Sequence, residues 1–99
     1  MATHERIVRV TIKGRVQGVG FRAWITANAQ ALGIAGWVRN RRNGTVEAVF
    51  AGSAEAIEEM CVDCHEGPPA ARVSELEQQE GGPSDLGMIE GKFVQLTTA

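Results

Sequence analysis

Residues 12–22 read Ile-Lys-Gly-Arg-Val-Gln-Gly-Val-Gly-Phe-Arg, a glycine-rich turn joining two segments of different hydrophobic period. Upstream, Val8, Val10 and Ile12 alternate with Arg9, Thr11 and Lys13, the period of two expected of a half-buried strand. Downstream, Phe21, Trp24, Ile25 and Leu32 recur at helical spacing, and Gly33 stands where a helix would stop. A strand that turns straight into a helix aims several unpaired backbone N–H groups at one spot. The helix dipole adds partial positive charge there, so an anion such as phosphate is the natural occupant. Gly14, Gly18 and Gly20 permit positive φ and a close approach of the main chain to that anion. Arg22 supplies a planar, permanently charged fork matching two phosphate oxygens.

Glycines between a strand and a helix also make plain tight turns, and two better-known phosphate loops fail here. Walker A ends in Gly-Lys-Ser/Thr, whereas this loop ends in Gly-Phe-Arg. Gly18, Gly20 and Ala23 imitate the dinucleotide fingerprint. No acidic residue follows at the spacing that would take a ribose hydroxyl, and 99 residues are too few for two mononucleotide-binding halves.

That length predicts one domain over residues 1–99, with room for a two-layer core. No apolar run approaches the roughly 18 residues of a membrane span. The N-terminus lacks the apolar stretch of a signal peptide, so a cytoplasmic location is expected and membrane association is not. The net charge of −2 conceals an asymmetry. Residues 1–45 carry Arg6, Arg9, Lys13, Arg15, Arg22, Arg39, Arg41 and Arg42 against Glu5 alone, while residues 46–99 carry Arg72 and Lys92 against eleven acids. The cradle lies in the basic half, whose field would steer a small anion inward; a set of solvated surface arginines is the plainer alternative. A nucleic-acid module would want stacking aromatics beside a basic patch. The chain has three Phe, two Trp and no Tyr, and Phe21, Trp24 and Phe50 fall on apolar faces, so nucleic acid is not expected as a partner.

Beyond Gly33, residues 34–40 read as a second strand and Asn43-Gly44 as a hairpin turn. A third strand spans 45–51, with Val46, Ala48 and Phe50 on one face and Glu47 and Val49 on the other. Ser53 suits a helix N-cap, although Ala56 at N3 rules out a strict capping box. Gly67-Pro68-Pro69 ends that helix, a weaker strand with room for a bulge runs from about 72 to 78, a glycine-rich acidic loop spans roughly 80–91, and residues 92–97 close the chain as a strand. The order βαββαβ predicts an α+β, ferredoxin-like sandwich, an antiparallel sheet with two helices on one face.

Cys61-Val-Asp-Cys64-His65 matches a haem-attachment motif, and Cys-x-x-Cys can also bind zinc. Covalent haem needs export, and zinc needs two further ligands, with His4 the only other histidine. Counted from Ile57, both cysteines complete the helix's apolar stripe with Met60, so core packing is the expectation, and no metal or cofactor is expected. His65 is expected on the surface.

Asn40 ends the second strand, just before an arginine-rich turn. Asparagine suits such a boundary for local reasons. Beside an anion cradle, its carbonyl could instead accept from a water while its NH₂ donates to a phosphate oxygen. Taken together, Gly14-Arg-Val-Gln-Gly-Val-Gly-Phe-Arg22, preceded by Ile12, and Gly36-Trp-Val-Arg-Asn40-x-x-x-Gly44-x-Val46, followed by Gly52, resemble both signature segments of the acylphosphatases. The resemblance covers nearly the whole chain, including the segment 67–73 and the closing strand, and is least distinctive beyond Gly52. It implies hydrolysis of a carboxyl–phosphate mixed anhydride, an acyl phosphate, to a carboxylate and inorganic phosphate, without metal or cofactor, by a monomeric enzyme. It further implies that Arg22 and the backbone N–H groups of Val16, Gln17, Gly18, Val19, Gly20 and Phe21 bind the phosphoryl group, and that Asn40 orients the attacking water. Two rival readings are a non-catalytic phosphate- or nucleic-acid-binding module on the same fold, and a domain acting on carbamoyl phosphate within a larger maturation protein.

Overall fold

The computed structural model describes residues 5–87, 89 and 91–99; His4, and Met88 and Glu90 of the acidic loop, lie outside these. The elements are β1 (Arg6–Arg15), α1 (Phe21–Ala31), β2 (Ala35–Asn40), β3 (Val46–Gly52), α2 (Ala54–Glu66), β4 (Arg72–Glu80), a single-turn helix α3 (Pro83–Leu86) and β5 (Phe93–Gln95). One five-stranded sheet runs in the order β4-β1-β3-β2-β5.

Strand alternation divides the apolar residues between the two faces of this sheet. Val8, Val10 and Ile12 of β1 and Val46, Ala48 and Phe50 of β3 join Phe21, Ile25 and Ala29 of α1 and Ile57, Met60, Cys61 and Cys64 of α2 in the main core. The two helices therefore share one face, as in the expected ferredoxin-like plan. The cysteines pack where the helical stripe puts them, and His65 is exposed. Burial holds the Cys61 thiol up at about 11 and raises Cys64 further, so neither is a ready thiolate.

The opposite face carries a smaller cluster of Trp37, Val49, Ala51 and Leu86. Part of the acidic loop thus folds as α3, and Leu86 caps this cluster. The indole Nε1 of Trp37 donates to the Asp85 carbonyl at 2.7 Å, and Asp85 Oδ2 accepts from the Gly82 N–H at 2.8 Å. A second departure concerns the closing strand. Residues 93–95 pair parallel to β2, in the register Gly36↔Phe93 and Val38↔Gln95, so the sheet is mixed where the element order alone predicted a purely antiparallel one. The chain reaches that edge by crossing the second face through α3, and this return sets the strand's direction.

The β1–β4 ladder contains the anticipated bulge, between Lys13 and Gly14. Gly14 has φ 125°, and a Cβ there would collide with the Arg72 carbonyl and the Ser74 N–H. Its lack of a side chain serves the close approach of β4, and it stays out of the anion pocket.

Candidate active site

Register brings the two halves of the site together. Ile12 near the end of β1 and Asn40 at the end of β2 both pair with Val46 of β3, from opposite sides. β1 and β2 are therefore parallel, separated by one strand or about 10 Å, and both deliver their C-terminal ends to the same edge of the sheet. β5, parallel to β2, ends there as well. The β1–α1 turn arches over this edge and α1 starts from it. A pocket of about 160 Å³ opens there, lined by Val16, Gly18, Gly20, Phe21, Arg22, Ala23, Asn40 and Gln95. Typical small-molecule pockets run from about 300 Å³ upward, so this one suits a phosphoryl group and a water better than a bulky organic ligand.

The backbone of the turn is shaped for an anion. Gly18 and Gly20 have φ of 75° and 77°, with open space where a Cβ would stand, so conformation and not crowding selects glycine. No described residue accepts a hydrogen bond from the backbone N–H groups of residues 16–20. The first helical hydrogen bond of α1 is Trp24 N–H to the Gly20 carbonyl at 3.0 Å, and the helix has no side-chain cap and no acid in its first turn. Its second residue is instead Arg22, a cation against the positive end of the dipole. Left empty, this arrangement repels itself; a bound anion satisfies the N–H groups, the dipole and the guanidinium at once.

Of the eight residues singled out in the sequence, six line this pocket: Val16, Gly18, Gly20, Phe21, Arg22 and Asn40. Gln17 and Val19 do not. Val19 packs against the main core, and the Gln17 side chain crosses to the β2–β3 turn. Two further residues escaped the sequence reading. Gln95 lines the pocket because its parallel register with Val38 puts it on Asn40's face of the sheet. Glu47, only 6% exposed, lies on the opposite face beneath Asn40's neighbours. Alternation sends Arg39 and Arg41 to that face, where Glu47 Oε1 accepts from Arg39 Nε at 2.8 Å and Arg41 Nη1 at 3.1 Å. Its Oε2 pairs with Arg9 Nη2 at 2.6 Å, and Arg9 reaches on to Asp85 at 3.1 Å. Burial alone would push the Glu47 carboxyl up, but the hydrogen bonds from Arg9, Arg39 and Arg41 outweigh it and hold the group below its ordinary range. A lone acid in an otherwise apolar strand was the available signal.

The basic half of the sequence is largely neutralised in space. Arg6 pairs with Glu80, Lys13 with Glu75 and Glu77, and Arg9, Arg39 and Arg41 with Glu47. Among the described residues Arg15, Arg22 and Arg42 of that half make no ion pair, and of these three Arg22 lines the pocket. Among the described residues, no cluster of His, Cys, Asp or Glu is arranged to hold a metal ion, and no helix is long and apolar enough to cross a membrane.

Comparison with known proteins agrees in sequence and in fold. The family model for acylphosphatase matches residues 8–86. An acylphosphatase of Nitrobacter winogradskyi is 52% identical over 97 residues, covering 96% of this chain and 98% of the relative. The structure superposes on an acylphosphatase from Coxiella burnetii with a TM-score of 0.83 at 33% identity, covering 97% of this chain and all of the other. The acylphosphatase from Bacillus subtilis gives a TM-score of 0.82 at 31% identity, over 91% and 97% of the two chains.

Proposed function

The chain belongs to the acylphosphatase family, and from that premise we propose that it hydrolyses acyl phosphates without a metal, using Arg22, Asn40 and the backbone of residues 16–21. The observation that carries this reading is the convergence of an uncapped helix N-terminus, a guanidinium and a carboxamide on one pocket sized for a phosphoryl group.

The reaction consumes one water: the acyl–O–phosphate and H₂O give a carboxylate, inorganic phosphate and a proton. The substrate's phosphoryl oxygens sit in the N–H cradle, with Arg22 gripping two of them. Phosphoryl transfer passes through a loose transition state, and a carboxylate is a good leaving group, so positioning and charge stabilisation suffice without a covalent nucleophile. The Asn40 carboxamide carbonyl accepts from the attacking water while its NH₂ donates to a phosphate oxygen, aligning the water with phosphorus. The water's proton passes to the phosphate being formed, since among the described residues no His, Asp or Glu lines the pocket. Fixed N–H dipoles stabilise the equatorial oxygens with no reorganisation at the moment of reaction. The enzyme works as a monomer in the cytoplasm, on a small-molecule substrate.

Phosphate release from benzoyl phosphate in the presence of EDTA tests this. Wild type turns over; Arg22→Ala loses both rate and phosphate inhibition; Asn40→Ala loses about 100- to 1,000-fold in kcat while competitive inhibition by phosphate changes far less. Turnover that EDTA abolishes would refute metal independence, and near-normal kcat in Asn40→Ala would refute the water-positioning role. Phosphate binding without any turnover by the folded wild type would favour a non-catalytic anion-binding module.

A further inference from the structure

The cradle poses a mechanical problem that its own backbone cannot solve. A loop whose N–H groups are kept for a ligand cannot use them to fasten itself to the rest of the molecule. Val16, 1% exposed, anchors one end in the core, and α1 fixes the other. Between them Gln17 extends its side chain away from the pocket and spends both amide hydrogens on the β2–β3 turn. Nε2 donates to the Arg41 carbonyl at 2.7 Å and to the Thr45 carbonyl at 2.9 Å. Those carbonyls mark the two ends of the turn, which is itself closed by Arg41 N–H to the Thr45 carbonyl at 2.8 Å and Gly44 N–H to the Arg41 carbonyl at 3.1 Å. Arg41 directly follows Asn40. The Gln17 carboxamide is thus a strut between the phosphate-holding loop and the strand end that carries the water-holding amide. It spans the gap left by β3, which begins only at Val46.

We propose that the Gln17 side chain is a positioning residue: it sets the distance and angle between the cradle and Asn40, and so the alignment of water with phosphorus. This rests on the hydrolytic reading above. The side chain touches neither phosphate nor water, and its effect passes through Asn40. A displacement of about 1 Å between reacting groups costs on the order of 100-fold in rate, so a strut of this kind acts on kcat while leaving the cradle able to bind phosphate.

The test is a double-mutant cycle on benzoyl phosphate hydrolysis with wild type, Gln17→Met, Asn40→Ala and the double variant, reading kcat, KM and inhibition by inorganic phosphate. Methionine keeps the length and removes both donors. The expected result is a kcat lower by at least about 10-fold in Gln17→Met, with KM and phosphate inhibition within about threefold of wild type. The double variant should match Asn40→Ala within the same margin, because a strut has nothing left to position once the amide is gone. Multiplicative losses in the double variant would overturn the proposal, as would weakened phosphate inhibition at unchanged kcat, or a lower Tm with unchanged kcat. Should Gln17→Met fail to fold, Gln17→Asn takes its place in the cycle with the same expectations, since it keeps the amide but falls one methylene short of both carbonyls. If wild type itself releases no phosphate, the hydrolytic reading fails and takes this one with it. If wild type turns over and the Gln17 variants keep its kcat, the strut alone is refuted.

Discussion

Glu47 shows how much a single side chain can hold in place. Its two oxygens gather three arginines, Arg9 of β1, Arg39 of β2 and Arg41 of the β2–β3 turn. The arginines are partly exposed, so the cluster is softer than a fully buried one, and Glu47→Gln should destabilise the protein by about 1–3 kcal/mol, measured by denaturant titration at pH 7. The sign of the pH effect follows from the lowered carboxyl. Its contribution is present above the unfolded value of about 4.3 and is lost as pH falls through the lower folded value, so wild type should lose stability below about pH 4.5 while Glu47→Gln shows a flatter acid limb. An unchanged acid limb would refute the assignment. Sequence made Arg22 and Asn40 legible because each sits in a long, local, chemically suggestive run. It did not expose Glu47 or the Gln17 strut, whose partners lie across strands that only register brings together. Gly14 stands in sequence with the anion loop, and its neighbour in space, the β4 backbone, is not written beside it.

The two long helices begin in opposite ways, and the contrast separates stability from function. α2 starts at Ser53, whose Oγ accepts from Ala56 N–H at 3.1 Å, with Glu55 in the first turn. Ser53→Ala should cost about 1 kcal/mol, lowering Tm by several degrees with no change in turnover. α1 has neither cap nor acid, and carries Arg22 against its dipole. Arg22→Ala should therefore be as stable as wild type or up to about 1 kcal/mol more stable in phosphate-free buffer, and phosphate should narrow or reverse the difference. Thermal melts with and without phosphate would decide it; a clear loss of stability in phosphate-free Arg22→Ala would contradict a helix start reserved for a ligand. Helices and the first four strands were readable from hydrophobic period and turn residues. The direction of β5 was not, because three residues carry no periodic signal of which edge or orientation they take. Nor was α3, a single turn whose helical state depends on docking Leu86 and Asp85 on the second face.

Across the molecule, the core seals both cysteines, at 5% and 0% exposure. At pH 8 the native protein should label with a thiol reagent orders of magnitude more slowly than the denatured chain, both sites reacting only as α2 opens. Immediate labelling of either thiol in native protein would show α2 to be looser than its packing implies. The overall plan was legible because a ferredoxin-like order of elements leaves few alternatives. The partition of the sheet into a large helix-covered face and a small α3-covered one was not, since both faces draw on the same strands.

The strands that bear the two halves of the pocket are never neighbours; β3 always lies between them. During folding, local events can therefore complete the β1–α1 unit and the β2–β3 hairpin separately without creating a competent centre. Only when β3 slots in beside β1, the most sequence-distant step of that assembly, do the two arrive at one edge. Recovery of hydrolysis after dilution from denaturant should consequently trail helix formation and coincide with sheet closure, which makes catalysis itself the strictest reporter that the chain has finished folding.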